Sequence, residues 1–276
     1  MKRLAIAVIH GLGSEEEFYS VELKHRIAEE YVKGAEGRLE DELLFHEIYW
    51  GDLVKEELDQ FRKKANYKGD LAYQNLRQIM TDAQALALLY RPGTEIYESI
   101  NNRIKDGLRK FASHRRVNQD ETPLVVLAHS YGAVMMSHFI GEMKNADSKL
   151  SNFETMKTLA GYITFGNPMG LYALESANSE LGVPCNIVGE ALNDDMKKRA
   201  RWYNFYDKDD IIAYPLKGLS DDFDQFVHGD FEINVGSAAT SWNPACHSGY
   251  WEDKDFYRPV ADFIAELRAP HSFWQG

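Results

Sequence analysis

Residues 124–136 read LVVLAHSYGAVMM, which is two apolar runs joined by a polar interruption. The first run is typical of a buried strand and the second of a buried helix, but neither explains a serine hydroxyl between them. A serine on a sharp strand-to-helix turn projects its hydroxyl above the sheet, and it needs small residues two positions away on either side. Ala128 and Gly132 meet that need around Ser130. The segment therefore predicts a buried strand, a sharp turn that presents Ser130, and a buried helix; a serine N-cap is the alternative role for the same hydroxyl.

Composition and charge limit what kind of protein this is. The chain has 276 residues, 44% of them hydrophobic, which predicts one globular domain over residues 1–276. A formal net charge of −12 repels phosphate backbones, so we expect no nucleic-acid partner. The most basic stretch, RKFASHRR at residues 109–116, is typical of the solvated end of a helix.

Cysteine usage and the apolar runs bear on location. Cys185 and Cys246 are too few for a disulfide framework and are not in a metal-binding spacing, which favours a reducing compartment. The apolar run at residues 4–9 is shorter than the roughly 7 to 15 residues of a signal-peptide core. No stretch approaches the roughly 20 apolar residues that cross a bilayer. These features predict a cytoplasmic protein that does not span a membrane.

Apolar runs and helical patterns alternate along the chain. Predicted strands lie at residues 4–9, 42–50, 124–128, 159–166 and 201–207, and the segment DQFVHGDFEINV, residues 224–235, fits either a sixth strand or a hairpin. Helical patterns separate them and close the chain. This alternation predicts an α/β fold with a mostly parallel central sheet flanked by helices. Residues 53–116 are longer than one crossover helix and form a helical insertion, which is either a cap over the site or an enlarged helical layer.

Parallel sheets bind ligands at the carboxyl ends of their strands. Polar or glycine-rich segments follow three of the predicted strands, and a histidine-containing loop precedes the last helix. These segments are HGLGS at residues 10–14, HSYGA at 129–133, YDKDD at 206–210 and NPACHSGYW at 243–251. We expect a site on this edge of the sheet.

The AHSYG sequence around Ser130 resembles the nucleophile elbow of the α/β-hydrolase superfamily, G-x-S-x-G, with alanine in place of the first glycine. ITFGNPMG, residues 163–170, resembles the strand end that follows the elbow in fungal-type lipases. The resemblance implies an α/β-hydrolase fold that begins at the superfamily's third strand and is thus trimmed at its N-terminus. It also implies a serine, an acid and a histidine in that chain order.

The resemblance assigns Ser130 as the nucleophile and His247, in the loop before the last helix, as the catalytic base, with His228 as the competing histidine. In the resembling lipases the acid precedes two apolar residues and a proline-containing return, as Asp210 does in DIIAYPL. Asp210 is therefore the predicted acid, and Asp207 is the alternative because it follows the same strand.

The resemblance also implies an oxyanion hole, which needs two backbone N–H groups aimed at the developing negative charge. It assigns one N–H to Tyr131, directly after the nucleophile, and the other to Leu12 in the glycine-containing turn VIHGLGS. A tight turn with no role in binding is the alternative for that segment.

Together these residues predict a serine hydrolase that cleaves carboxylic esters through an acyl-enzyme, with a small-molecule ester as substrate. The chemistry implies no metal and no other cofactor. An acyltransferase, thioesterase or amidase would use the same three side chains. A non-catalytic binding protein on this fold is the alternative from another class. The sequence does not indicate an oligomeric state.

Overall fold

A computed structural model describes residues 3–11, 16–34, 38–65, 69, 74–143, 149–174, 187–237 and 244–268. In this part of the chain six strands form a parallel sheet in the order β2-β1-β3-β4-β5-β6. The strands are β1 (Leu4–Ile9), β2 (Leu43–Ile48), β3 (Leu124–His129), β4 (Leu159–Phe165), β5 (Arg201–Tyr206) and β6 (Gly229–Glu232). The prediction of an α/β fold with a parallel central sheet is confirmed.

Helices connect the strands and cover the sheet. The α-helices are α1 (Val21–Lys33), α2 (Lys55–Ala65), α3 (Gln74–Leu89), α4 (Glu95–Ala112), α5 (Tyr131–Met143), α6 (Asp194–Arg199), α7 (Asp221–Phe226) and α8 (Lys254–Arg268). Within the described ranges, four short 3₁₀ helices lie at Glu40–Glu42, Gly51–Leu53, Met169–Leu174 and Pro244–Trp251.

Alternate residues of each central strand face opposite helical layers. In β1, Ala5, Ala7 and Ile9 pack into the core shared with α4 and α5, whereas the alternating Leu4, Ile6 and Val8 pack into the core shared with α1 and α8. Both sets are fully buried. Burial on both faces is the physical reason that these strands are continuous apolar runs.

The segment that fitted either a strand or a hairpin contains a helix and a parallel strand. Its first residues belong to α7, and Gly229–Glu232 then pairs with β5 in parallel. The hairpin interpretation is therefore wrong. His228 lies between α7 and β6, where its Nδ1 accepts a hydrogen bond from the backbone N–H of Trp202 at 3.1 Å.

The side of the sheet on which the chain adds strands changes between β1 and β3. The chain passes from β1 outward to β2 on one side and then returns to β3 on the other side. Connections that leave such a pair of neighbouring strands diverge, so a crevice opens at their carboxyl ends. Ile9 of β1 is paired with Ala128 of β3, which places His10 and His129 at that crevice.

The described part of the predicted insertion at residues 53–116 contains three α-helices, α2, α3 and α4. α4 packs against β2 and α5 and thus serves as the crossover helix between β2 and β3. α2 and α3 pack against each other, and α3 also contacts the 3₁₀ helix Pro244–Trp251.

No helix within the described residues combines the length and the apolar character that crossing a bilayer requires.

Candidate active site

Ser130 occupies the sharp turn between β3 and α5. Its φ angle is 53°, in the left-handed region that a side chain other than glycine adopts only at a cost. The turn is held by two backbone hydrogen bonds, from Ser130 N to the Phe165 carbonyl and from Ala133 N to the Ser130 carbonyl, both 3.0 Å. The strained backbone places the serine at the carboxyl edge of the sheet, directly before the first residue of α5.

Gly132 allows the turn to approach the end of β1. A Cβ atom at this position would lie 2.5 Å from the carbonyl oxygen of His10 and 3.1 Å from that of Ile9. Both contacts are with backbone, which cannot rotate away as a side chain can. The glycine in the trailing position of the AHSYG motif is therefore required by close packing of two backbones.

Ser130, His247 and Asp210 lie in one hydrogen-bonded chain. The Ser130 Oγ is 3.1 Å from the His247 Nε2, and the His247 Nδ1 is 2.9 Å from the Asp210 Oδ2. A neutral imidazole with its proton on Nδ1 donates to the carboxylate and leaves Nε2 to accept from the serine hydroxyl. The three residues are 0%, 5% and 3% exposed, so the chain is shielded from bulk water.

The two candidate acids contact different groups. Asp210 accepts a hydrogen bond from Ile212 N on Oδ1 at 3.0 Å and faces His247 with Oδ2. Asp207 accepts from Asp209 N at 2.8 Å and from Val235 N at 2.7 Å, which engages both of its oxygens with backbone. The structure thus brings Asp210 to the histidine and places the Asp207 carboxylate on backbone donors of its own loop and of the segment after β6.

Of the two predicted oxyanion donors, Tyr131 is among the described residues. Tyr131 is the first residue of α5, and the first N–H groups of a helix have no acceptor within it and carry partial positive charge. Leu12 lies outside the described residues. Gly11, directly before it, packs against Ser130, so the chain that leads to Leu12 starts beside the nucleophile.

His10 fixes the start of that segment. Its Nε2 accepts from Trp50 N at 3.2 Å, its Nδ1 donates to the Gly11 carbonyl at 2.6 Å, and its own carbonyl accepts from the Trp50 indole at 2.9 Å. Burial lowers the pKa of His10 to about 4, so the ring is neutral near pH 7 and keeps this tautomer.

Glu47 holds the residues that directly precede α1. Its carboxylate accepts hydrogen bonds from Phe18 N at 3.0 Å and Ser20 N at 2.9 Å, and it pairs with Lys24 at 2.9 Å. Partial burial acts to raise the pKa of Glu47, but the hydrogen bonds from the hydroxyl and N–H of Ser20 and the ion pair with Lys24 outweigh it, so the pKa is lowered. Sequence reasoning missed this contact, because the glutamate lies in β2, far from those residues in the chain.

Two further residues at the site also escaped sequence reasoning. The His129 Nε2 lies 3.0 Å from the main-chain carbonyl of His247, and burial lowers the pKa of His129 well below its ordinary value. The Tyr250 hydroxyl donates to the Asp210 Oδ2 at 3.1 Å. The sequence signals for these residues were that His129 directly precedes Ser130 and that Tyr250 follows His247 by three positions.

Cys246 lies beside His247 in the chain but is not equipped as a nucleophile. Its side chain is fully buried, and burial, together with the negative charge of Asp210, raises the pKa of the thiol to about 12. The thiolate needed for attack is therefore not populated near pH 7.

The described residues contain no group of three or more histidine, cysteine, aspartate or glutamate side chains arranged to hold a metal ion.

Comparisons with known proteins find similarity among solved structures alone. No family model matches the sequence, and no curated protein matches it. Among solved structures, the esterase domain of a Rhodothermus marinus protein is similar over 96% of this chain and 88% of that chain, with a TM-score of 0.41 and 10% identity.

Proposed function

We propose that the protein is a serine hydrolase of the α/β-hydrolase type that cleaves carboxylic esters. The observation that carries the proposal is the buried chain from the Asp210 carboxylate through His247 to the hydroxyl of Ser130, with contacts of 2.9 and 3.1 Å. A serine hydroxyl is a weak nucleophile until an adjacent base takes its proton, and this arrangement supplies that base. The strained backbone of Ser130 supports the same function, because strain of this kind concentrates at active sites.

In the proposed reaction Ser130 attacks the ester carbonyl and His247 Nε2 takes the hydroxyl proton. Asp210 holds the imidazole in the required tautomer and stabilises its charged form. The backbone N–H of Tyr131, with a second donor assigned to Leu12, stabilises the tetrahedral oxyanion. His247 then protonates the leaving alcohol, and water releases the acyl group from Ser130 by the same steps.

The α2–α3 helix pair is proposed to be a cap over this site. α3 contacts the 3₁₀ helix that carries His247, whereas α4 packs against β2 and α5 as the crossover helix. A cap at this place would form part of the wall that binds the acyl group of the substrate.

A fluorophosphonate probe tests the proposed nucleophile. We expect the wild-type protein to be labelled stoichiometrically and the folded Ser130→Ala variant to remain unlabelled. Ser130→Ala should also lower ester turnover by several orders of magnitude, since losing a triad nucleophile costs on the order of 10⁶-fold in subtilisin. Ordinary ester turnover by a folded Ser130→Ala protein would refute the proposal, and a folded wild type that is neither labelled nor active would favour the binding protein.

The base is tested in the same assay with two histidine variants. His247→Ala should reduce turnover nearly as much as Ser130→Ala. His228→Ala should have a small effect, because His228 contacts Trp202 near the start of β5. Asp210 follows the opposite end of that strand. Matched ester, thioester and anilide substrates with one acyl group then separate esterase from thioesterase and amidase activity.

A further inference from the structure

Tyr250 lies behind the proposed catalytic acid. It is fully buried near the end of the 3₁₀ helix Pro244–Trp251, three residues after His247. Its hydroxyl is 2.9 Å from the backbone nitrogen of Asp207 and 3.1 Å from the Asp210 Oδ2. One hydroxyl group therefore connects the end of β5 with the carboxylate that faces His247.

The direction of these hydrogen bonds follows from the available protons. The Asp207 N–H is a donor, so the Tyr250 oxygen accepts from it, and the single hydroxyl proton is directed to Asp210. The Asp210 Oδ2 thus takes two donors, the Tyr250 hydroxyl and the His247 Nδ1, while Oδ1 takes the Ile212 N–H. Burial and the charge of Asp210 raise the pKa of Tyr250 well above its ordinary value, so the hydroxyl remains a donor.

The tyrosine ring is held independently of its hydroxyl. It packs against the rings of Phe165 at 5.9 Å, His129 at 5.9 Å and Phe256 at 6.3 Å between centroids. These contacts fix the place from which the hydroxyl donates. Removing the oxygen alone would leave the ring contacts intact.

We propose that Tyr250 is a positioning residue that sets the rotamer of Asp210 and thereby the orientation of His247 toward Ser130. The inference rests on the proposed function. A carboxylate in a loop needs a fixed rotamer to hold an imidazole in productive geometry, and a second donor on the oxygen that faces the histidine supplies that constraint.

The experiment compares Tyr250→Phe with Tyr31→Phe. Tyr31 is a matched control because its buried hydroxyl also donates to a carboxylate, that of Glu42 at 2.6 Å, and also accepts one N–H, from Arg268 at 3.2 Å. The pair Tyr31–Glu42 lies between α1 and the 3₁₀ helix that precedes β2, away from the site. Each substitution therefore removes the same kind of hydrogen bond, and only one of them touches the acid.

We expect Tyr250→Phe to lower kcat for an ester about tenfold, the loss expected for one hydrogen bond to a charged group, with KM changed less than about twofold. Tyr31→Phe should leave both constants near the wild-type values. In an Asp210→Asn background, adding Tyr250→Phe should cost much less than it does alone, because residues that act through one group are not additive. Active sites are counted with the fluorophosphonate probe in each protein.

Equal kcat values for Tyr250→Phe and Tyr31→Phe would overturn the inference, as would an undiminished effect of Tyr250→Phe in the Asp210→Asn background. If Tyr250→Phe does not fold, 4-fluorophenylalanine at position 250 fills the volume of the hydroxyl without donating, and the same loss of kcat is expected. Activity that survives Ser130→Ala would instead refute the proposed function itself, so the two failures are distinguishable.

Discussion

Gly11 packs so closely against Ser130 that a Cβ atom added to Gly11 would lie 2.3 Å from the Cβ and 2.8 Å from the Oγ of the serine. It would also lie 2.9 Å from the carbonyl oxygen of His129. The segment that leads to the predicted oxyanion donor and the turn that presents the nucleophile are therefore one packed unit.

Gly11→Ala should separate these two segments. Because the nearest atoms include backbone, we expect a loss of about 1–3 kcal/mol in the free energy of unfolding, as for other overpacked sites. Ester turnover should fall by about 100-fold or more, since displacing one oxyanion donor costs 10² to 10³ in comparable enzymes. Urea denaturation and kcat per labelled active site measure the two effects.

Gly141→Ala is the control for this change. Gly141 lies in α5, and a Cβ there would meet nothing within 4 Å. Alanine should stabilise the helix by about 0.5–1 kcal/mol and leave turnover unchanged. Equal turnover in the two alanine variants would contradict the packing argument.

Asp210→Asn and Asp207→Asn separate the two acids. Asp210→Asn should lower turnover by up to about 10⁴, as loss of the triad acid does in a serine protease. Asp207→Asn replaces one of two oxygens that accept from Val235 N and Asp209 N, so it should cost about 1–3 kcal/mol of stability with little change in turnover per folded molecule. If Asp207→Asn lowers turnover strongly and Asp210→Asn does not, Asp207 is the acid that acts with Ser130 and His247.

Much of the fold was predictable because its signals are local. A strand buried on both faces is a continuous apolar run, so β1, β3 and β4 could be read from composition within windows of six or seven residues. The sharp turn at Ser130 was predictable from local sequence too, since Ala128, Ser130 and Gly132 are neighbours in the chain. β6 was ambiguous because its burial is partial and its partner is chosen by long-range pairing.

The contacts that orient the site could not be read from the sequence. Asp207 and Asp210 both follow β5, and what distinguishes them is the set of donors that reaches each one, including Val235 from beyond β6. His10 and Glu47 act across β1 and β2, at separations of 40 and 27 residues from Trp50 and Ser20. Such contacts depend on tertiary packing, for which neither residue type nor spacing carries a signal.

Buried His10 should make the protein sensitive to acid. Its ordinary pKa is 6.5 and its pKa in the folded protein is about 4, because burial outweighs the nearby charges of Glu47 and Asp52. Above pH 6.5 the His10 ring is neutral in both the folded and the unfolded protein. Between pH 6.5 and 4 the ring binds a proton in the unfolded chain but not in the folded protein. Stability is therefore lost as the pH falls through this window, by about 2 kcal/mol at pH 5 from this residue.

The measurement is the difference in unfolding free energy between pH 7 and pH 5. His10→Gln cannot titrate and should show a smaller difference than the wild type, whatever its stability at pH 7. His25→Gln is the control, since His25 is exposed on α1. A wild-type pH dependence retained in His10→Gln would assign the effect to other groups.

The proposed cap is held by an ion pair between its two helices. The Arg62 guanidinium of α2 makes two contacts with the Asp82 carboxylate of α3, one of them from Nε to Oδ1 at 3.1 Å, and the Asp82 side chain is only 3% exposed. Arg62→Met keeps the apolar stem but leaves a buried carboxylate without the guanidinium charge, which is strongly destabilising for a buried pair. We expect α2 and α3 to lose their fixed packing while the sheet remains folded.

If α2 and α3 form the acyl-binding wall, Arg62→Met should lower kcat/KM by about tenfold more for an octanoyl ester than for an acetyl ester. Tenfold corresponds to lost contact with about two methylenes of the longer chain, at about 0.8 kcal/mol for each. Arg26→Met, which removes an exposed pair with Glu22 on α1, should leave the ratio of the two esters unchanged. A p-nitrophenyl ester series from acetate to octanoate gives this ratio directly. Equal losses across the series would mean that α2 and α3 are an outer helical layer, because a layer that does not touch the acyl chain cannot discriminate its length.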